Sequence, residues 1–233
     1  MEKVRRDPTY LQKLRREELF VGFTDEEFDI IQSNLFMRHY KKGQILFDEG
    51  DRRDRVYFLR KGLVRLERYD ESATFSYFDY VKKHTLFPYG GMFHDEDYHY
   101  SAYAVTDIEV YYIPMQLFEE TVKNNQEQLI YVFHKLSKIL ENHEVRLQRC
   151  LTSSATERIE QALAILMKDL GEAIAPHIVE IPYPITLKEL ATMSGTTRET
   201  VGHTIKKLKQ EKKIEYEHKM FVFSDIHYFK AHG

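Results

Sequence analysis

From about Met37 to Ile113 the apolar residues fall in short runs, KKGQILF, VYFLRKGLVRLERYD, ATFSYFDYV and IEVYYIP, separated by polar turns. Alternation shows in places: Val64 and Leu66 lie on one side, Arg65 and Glu67 on the other, the two-residue period of a half-buried strand. Gly43, Gly50 and Gly62 stand where strands should reverse. Many short strands with turns every roughly 8–12 residues predict an antiparallel sandwich or barrel. Ahead of it, residues 1–20 read as a short charged helix or arm. Thr24-Asp25-Glu26-Glu27 then has the spacing of a capping box before an apolar stripe of Phe28, Ile31 and Leu35.

From Gln116 to Leu151 the period becomes helical. Leu129, Phe133, Leu136, Leu140, His143, Leu147 and Cys150 recur at alternating steps of four and three, a heptad seam. Such a stripe serves either packing on its own domain or a second helix. Its narrowness favours a parallel two-helix seam between two copies of the chain, a homodimer, with His143 as a polar interruption that sets register. After the polar link Thr152-Ser153-Ser154, residues 155–170 form an amphipathic helix with Ile159, Ala162, Leu163 and Leu166 on one face. Pro176, Pro182 and Pro184 break helicity beyond it.

Two capping boxes follow, Thr186-Leu187-Lys188-Glu189 and Thr196-Thr197-Arg198-Glu199. The first opens a helix that stops at Gly195, a natural left-handed terminator. The second opens a helix with Val201, Ile205 and Leu208 facing inward, and small Ala191 and Gly202 would let the two helices approach closely. Helix, glycine turn, helix is the helix-turn-helix arrangement. KKIEYEHKMFVFSD then alternates on both sides of Glu217-His218-Lys219, as a β-hairpin wing would.

The net charge of the chain is only −3, yet between Ile185 and Lys213 seven Lys/Arg face three Asp/Glu, a local +4 that leaves the remainder near −7. That asymmetry predicts one basic face on an acidic body. With the apolar stripe inward, Arg198, Glu199, Gly202, His203 and Lys206 fall on or near the outer face. Arg pairs bidentately with guanine and Glu accepts from cytosine N4 in the major groove. Thr196, Thr197, the helix-start amides and Lys206, Lys207 and Lys209 suit phosphates. The predicted partner is double-stranded DNA. A solvated lysine-rich face is the plain alternative, and Arg-Glu at the helix start followed by a wing weighs against it. Glu199 is claimed twice, as cap and as base reader, and cannot fully serve both.

Length and composition narrow the class. At 233 residues, 42% hydrophobic and 13% aromatic, the chain supports one large or two moderate folded domains. No apolar run approaches the roughly 20 residues of a membrane span, and the start, MEKVRRDPTYLQKLRREE, has no apolar core of a signal peptide. No membrane partner and a cytoplasmic location are expected. The single cysteine, Cys150, excludes an internal disulfide and a cysteine-held zinc or iron–sulfur site within one chain. Within the seam it reads as a buried structural residue rather than a thiol that oxidises across the two-fold axis.

On these residues the chain resembles the Crp/Fnr superfamily of bacterial transcription regulators. The resemblance covers nearly the whole length: KKGQILFDEGDRRDRVYFLRKGLVRL as a β-roll, the long helix, and TTRETVGHTIKKL as the most specific motif. More narrowly, FPYGGMF, the link LTSSATERI and TTRETV-x-H are similar to the arginine-deiminase-pathway regulators of streptococci, enterococci and lactic-acid bacteria. The implied fold is α+β. Residues 1–115 would hold N-terminal helices and an antiparallel, cyclic-nucleotide-binding-domain-like β-roll, 116–151 a dimerisation helix, and 152–233 a winged helix-turn-helix. The resemblance implies a homodimer on a palindromic site, RNA polymerase as a partner, and activation of an arginine-catabolism operon. Arg198 and Glu199 match the family's base-reading pair, while His203 stands where cyclic-AMP-type members usually carry a further Arg.

The larger departure is LFPYGGMFHDEDYHYSA, residues 86–102. Cyclic-nucleotide-binding members carry Gly-Glu followed about ten residues on by Arg-Ser; here Pro88 and Tyr89 replace the first pair and Tyr100 and Ser101 the second. A cyclic phosphate would lose its charge-assisted partner, so conventional cyclic-nucleotide binding is not expected, nor is an iron–sulfur cluster. Phe87, Pro88, Tyr89, Gly90, Tyr100 and Ser101 are the candidate effector pocket. With Phe93 and Tyr98, these aromatics line a small ligand site or pack shut. His94-Asp95-Glu96-Asp97-Tyr98-His99 has metal-ligand residue types but sits where a hairpin turn is expected, so no metal and no cofactor is expected. A cupin-like metal barrel with an interaction module is the competing reading; His39, His84, His94 and His99 are scattered, without the paired H-x-H it would need. No catalytic signature appears, and an enzyme is not expected.

Overall fold

The computed structural model describes residues 2–3, 8–69, 76–150 and 152–232, and the chain divides into two compact units, Met1–Leu140 and Glu141–Gly233. The first unit begins with β1 (Glu2–Lys3), α1 (Pro8–Arg15), α2 (Glu18–Val21) and α3 (Asp25–Ser33). It continues through β2 (Phe36–Tyr40), β3 (Ile45–Phe47), β4 (Arg55–Lys61), β5 (Leu63–Tyr69), β6 (Ser76–Lys82), β7 (Thr85–Phe87), β8 (Ser101–Ala104) and β9 (Ile108–Pro114). Then come α4 (Met115–Lys123) and the long α5 (Gln126–Cys150), whose last ten residues belong to the second unit.

The strands form two antiparallel sheets, of order β1-β2-β9-β4-β7 and β3-β8-β5-β6. β4 shows why its sequence lacks clean alternation: both of its faces are buried. Val56 and Phe58 join Phe20, Phe28, Ile31, Phe118 and Val132 under the helices, whereas Tyr57 and Leu59 join Val64, Val81, Ala102 and Val110 between the sheets. Each fully buried Val, Leu, Ile or Phe side chain among them contributes roughly 1.5–3 kcal/mol of transfer free energy. The predicted antiparallel sandwich and the α+β class are what the structure has.

Two helical expectations resolve differently. The capping box at Thr24 forms: Glu27 N donates to Thr24 Oγ1 at 3.2 Å and Thr24 N to Glu27 Oε2 at 2.8 Å. The single helix expected from Gln116 is instead two helices, broken at Asn124 and Asn125. Asn125 Oδ1 accepts from Gln128 N at 2.9 Å, as an N-cap does. Its amide donates to Gly22 O at 3.0 Å and to Glu27 Oε2 at 2.6 Å, so a tertiary contact wins over helix continuation.

In the second unit, α6 (Ala155–Leu170) is capped by Ser154, whose hydroxyl accepts from Glu157 N at 3.3 Å. β10 (Glu172–Ala175) and β11 (Ile178–Ile181) follow, then α7 (Leu187–Met193), α8 (Arg198–Gln210), β12 (Ile214–Glu217), β13 (Met220–Phe223) and α9 (Ile226–His232). The sheet order is β10-β11-β13-β12, antiparallel throughout. Ile159, Leu163, Leu190, Val201, Ile205, Leu208, Phe221, Phe223 and Phe229 form the buried set. The wing appears as expected; the β10–β11 hairpin stands where the prolines signal only a break.

Candidate nucleic-acid interface

α7 opens on the expected capping box. Glu189 N donates to Thr186 Oγ1 at 3.1 Å, and Thr186 N donates back to Glu189 Oε2 at 2.7 Å. It closes as a Schellman motif: Thr196 N donates to Ala191 O at 3.0 Å and Gly195 N to Thr192 O at 3.3 Å, with Gly195 at φ +56°. Glycine is favoured there because a Cβ in the left-handed region clashes with the backbone.

The second capping box is corrected by one residue. Thr197, not Thr196, is the N-cap of α8, its hydroxyl accepting from Thr200 N at 3.2 Å. Thr196 already closes α7 with its own N–H. The shift puts Thr200 at the third helical position and frees Glu199 from capping, which removes the double claim on it. Glu199 instead lies 3.9 Å from His203, one turn on.

The inward face of α8 is Val201, Thr204, Ile205 and Leu208, all buried, with Thr204 Oγ1 donating to Thr200 O at 3.1 Å. The outward face carries Arg198, Glu199, His203, Lys206, Lys207 and Lys209, all exposed; the Glu199 side chain is 86% accessible and that of His203 78%. Thr197 is exposed and Thr196 half-buried. Lys209 Nζ reaches Tyr216 O at 3.3 Å, and Lys207 lies 4.0 Å from Glu211, both weak surface contacts. Gly202 does not pack against α7 as expected: a Cβ there would meet nothing within 4 Å. It leaves a notch in the outer face between Arg198 and Lys206. The capped start of α8 thus offers unpaired amides, the positive end of the helix dipole and a cation together, which suits phosphate oxygens and base edges.

The wing is held close to this helix pair. Ile185 N donates to Lys219 O at 2.8 Å, Tyr216 Oη donates to Ile185 O at 3.0 Å, and the Tyr216 and Phe221 rings lie 4.4 Å apart. His218 (φ 51°) and Lys219 (φ 69°) make its two-residue turn with both residues left-handed. Sequence reasoning missed Arg158. Its guanidinium donates to Ser194 O at 2.9 Å, Gly195 O at 3.2 Å, Thr152 O at 2.9 Å and Ser153 O at 3.2 Å. Its one available signal is an arginine one turn into a helix that follows a polar link full of unpaired carbonyls.

The other predicted sets are placed as follows. On α5, Leu129, Phe133, Leu140 and Leu147 are exposed, Phe133 by 67% and Leu147 by 68%. Leu136 is half-buried and packs partly on the helix-side core; His143 is half-buried. Cys150 ends the helix, and its side chain lies outside the described residues. Of the six pocket residues, Phe87, Tyr89 and Tyr100 divide between two packing environments. Phe87 and Tyr100 belong to the inter-sheet cluster, where Tyr57 stacks on Phe87 at 5.4 Å and Phe47 lies 3.8 Å from Tyr98 and 6.4 Å from Tyr100. Burial pushes the Tyr100 phenol up, and its hydroxyl bonds the Gly90 backbone. Tyr89 lies in the helix-side core, its phenol also raised by burial and bonded to Tyr131. Pro88 is buried, Gly90 and Ser101 are half-buried, and Ser101 Oγ accepts from Glu49 N at 3.0 Å.

In the turn beyond, hydrogen bonds from His94 (2.6 Å) and His99 (2.8 Å) hold the Asp95 carboxyl below the usual carboxylate range. Among the described residues, no group of three or more His, Cys, Asp or Glu is arranged to hold a metal ion. Nor, among them, is any helix long and apolar enough to cross a membrane.

Comparison with known proteins assigns both parts. Residues 37–125 match the cyclic nucleotide-binding domain family and residues 157–231 the Crp-like helix-turn-helix domain. The HTH-type transcriptional regulator ArcR of Staphylococcus aureus (strain N315) is 31% identical over 195 residues, 83% of this chain and 82% of that protein. ArcR of Staphylococcus haemolyticus (strain JCSC1435) is 30% identical over 209 residues, 90% of this chain and 91% of that protein. Among solved structures, FixK2 from Bradyrhizobium japonicum superposes with a TM-score of 0.73 over 84% of this chain and 96% of its own, at 16% identity. A Crp/Fnr-family transcriptional regulator of Thermus thermophilus does so at 0.63 over 84% and 97%, at 27% identity. These relatives are transcription regulators and not enzymes, which sets the metal-barrel alternative aside. With both of its parts matched in order and relatives of 30% identity or more spanning over four fifths of it, the chain belongs to the Crp/Fnr family of DNA-binding transcription regulators.

Proposed function

We propose that the chain acts as a homodimer that sets two copies of α8 into successive major grooves of a palindromic site, Arg198 and Glu199 reading bases and the flanking threonines and lysines holding phosphates. The observation that carries this is the exposed Arg198–Glu199 pair at the capped start of a helix whose opposite face is sealed in the core. The exposed Leu129, Phe133, Leu140 and Leu147 supply the dimer seam. The protein works in the cytoplasm on an arginine-catabolism operon, which it activates with RNA polymerase as partner. Supporting this are FPYGGMF, LTSSATERI and TTRETV-x-H and the naming of the staphylococcal relatives. Control by a conventional cyclic nucleotide, or by an iron–sulfur cluster, is not part of the proposal. Tyr100 is packed against Phe47, Ser101 is engaged by Glu49 N, and the one cysteine stands at position 150.

A fluorescence titration against the upstream DNA of its own operon, repeated at several salt concentrations, tests the reading. Neutralised phosphates release counterions, so affinity should fall steeply with salt. Arg198→Ala should relax specificity at one base pair and cost roughly 1–3 kcal/mol. Equal affinity for a scrambled duplex would contradict base reading.

A further inference from the structure

The link Thr152-Ser153-Ser154 joins α5 to α6, and its first two carbonyls lie outside any helix or sheet ladder. Arg158 serves them and the helix-turn-helix turn at once. Nη1 donates to Thr152 O (2.9 Å) and Ser153 O (3.2 Å), Nε to Ser194 O (2.9 Å) and Nη2 to Gly195 O (3.2 Å). A guanidinium has five N–H donors in a rigid planar fork, and this arrangement occupies most of them with backbone. Such a fork fixes mutual orientation, which a lysine, as a point donor on a flexible stem, does not. The turn it grips lies immediately before the Thr197 cap and the reading pair, Arg198 and Glu199. The link it grips begins two residues after Cys150, the end of the helix that carries the seam.

We infer that Arg158 is a positioning residue for DNA reading: it fixes the start of α8 against the link that follows the long helix, so that each half of the dimer presents its reading pair at one angle and spacing. It acts through the turn and not by contact with bases or phosphates. The inference rests on the palindromic-dimer reading and deepens it.

The test uses full-length wild-type protein, Arg158→Lys and Arg158→Ala, with thermal melting to establish that each is folded. Three duplexes are titrated: a palindrome selected from random sequence by the wild-type protein, the same palindrome with one base pair inserted at its centre, and a scrambled duplex. The insertion turns one half-site by about 35° relative to the other. Wild type should lose about tenfold or more in affinity on insertion, comparable with a mismatch. The variants should bind the native palindrome more weakly and be nearly indifferent to the insertion, while their salt dependence and their binding to scrambled duplex stay unchanged. A merely stabilising role would lower melting temperature without altering the spacing preference. Folded Arg158→Lys that keeps the wild-type spacing penalty overturns the inference, as does a salt slope reduced by about one, the mark of a lost phosphate contact. If wild type itself does not distinguish palindrome from scrambled duplex, the underlying reading falls and this inference with it.

Discussion

Arg198 and Glu199 point outward because Val201, Thr204, Ile205 and Leu208 point inward, and the helix starts where Thr197 caps it. Removing that cap, Thr197→Ala, should cost about 1 kcal/mol of stability in chemical denaturation, with the slope of the transition unchanged. Gly202 separates stability from function. A methyl group there meets nothing in the protein, so Gly202→Ala should stabilise the helix by up to about 1 kcal/mol. The same methyl fills the notch in the reading face, so DNA affinity should fall while melting temperature rises. The outward placement of Arg198 and Glu199 and the inward stripe are legible from the spacing of apolar residues. Spacing alone sets the cap one residue early, because Thr196 and Thr197 are both threonines and only Thr196 has a Glu three residues on; the deciding contact, Thr196 N to Ala191 O, belongs to the preceding helix. Arg158 is not legible from periodicity, since two of its four partners, the carbonyls of Ser194 and Gly195, lie on a segment distant in sequence.

At the scale of elements, strands and helices are most legible where burial is one-sided. In β4 and β9 both faces are covered, so alternation vanishes and only run length and turns mark the strands. The break at Asn124 and Asn125 is invisible to periodicity because it is made by contacts to Gly22 and Glu27, about a hundred residues earlier. Between a ligand site and closed packing in the effector region, composition does not decide, and its aromatics are packed into two cores. That packing carries a pH signature. Burial pushes Tyr98 up to about 12 from 10.0, and raises Tyr57, Tyr89 and Tyr100 as well. Phenols raised on folding contribute stability that is complete below pH 10 and lost as pH rises through their folded values. Alkaline unfolding of the first unit should therefore set in above about pH 10, with tyrosinate absorbance and loss of circular dichroism rising together; tyrosines that all titrate freely near 10 with the fold intact would refute the packing. In the wing, His218 and Lys219 hold left-handed conformations that Asn and Gly adopt at less cost. His218→Asn with Lys219→Gly should raise stability by about 1 kcal/mol, read by thermal melting.

For the whole molecule, a net charge of −3 weighs against indiscriminate nucleic-acid binding, while the cations of α8 lie on its exposed side. The exposed residues on α5 form the proposed seam, for which a second copy would supply the matching stripe. Phe133→Glu together with Leu147→Glu should shift the protein from dimer to monomer in sedimentation at micromolar concentration and remove preference for the palindrome over a single half-site. A variant that stays dimeric would place the seam elsewhere. The family is legible from the motifs that carry the resemblance, and the fold and α8 from local periodicity and caps; the effector question is not legible, because it depends on how distant aromatics fill space.

The most direct test of base reading is a titration of wild type and Arg198→Ala against a complete set of single-base-pair variants of the selected palindrome at fixed salt. Wild type should discriminate at symmetry-related positions in the two half-sites by roughly 1–3 kcal/mol each. Arg198→Ala should lose discrimination at one position per half-site while retaining the others. Identical position profiles for the two proteins would contradict base reading by this pair.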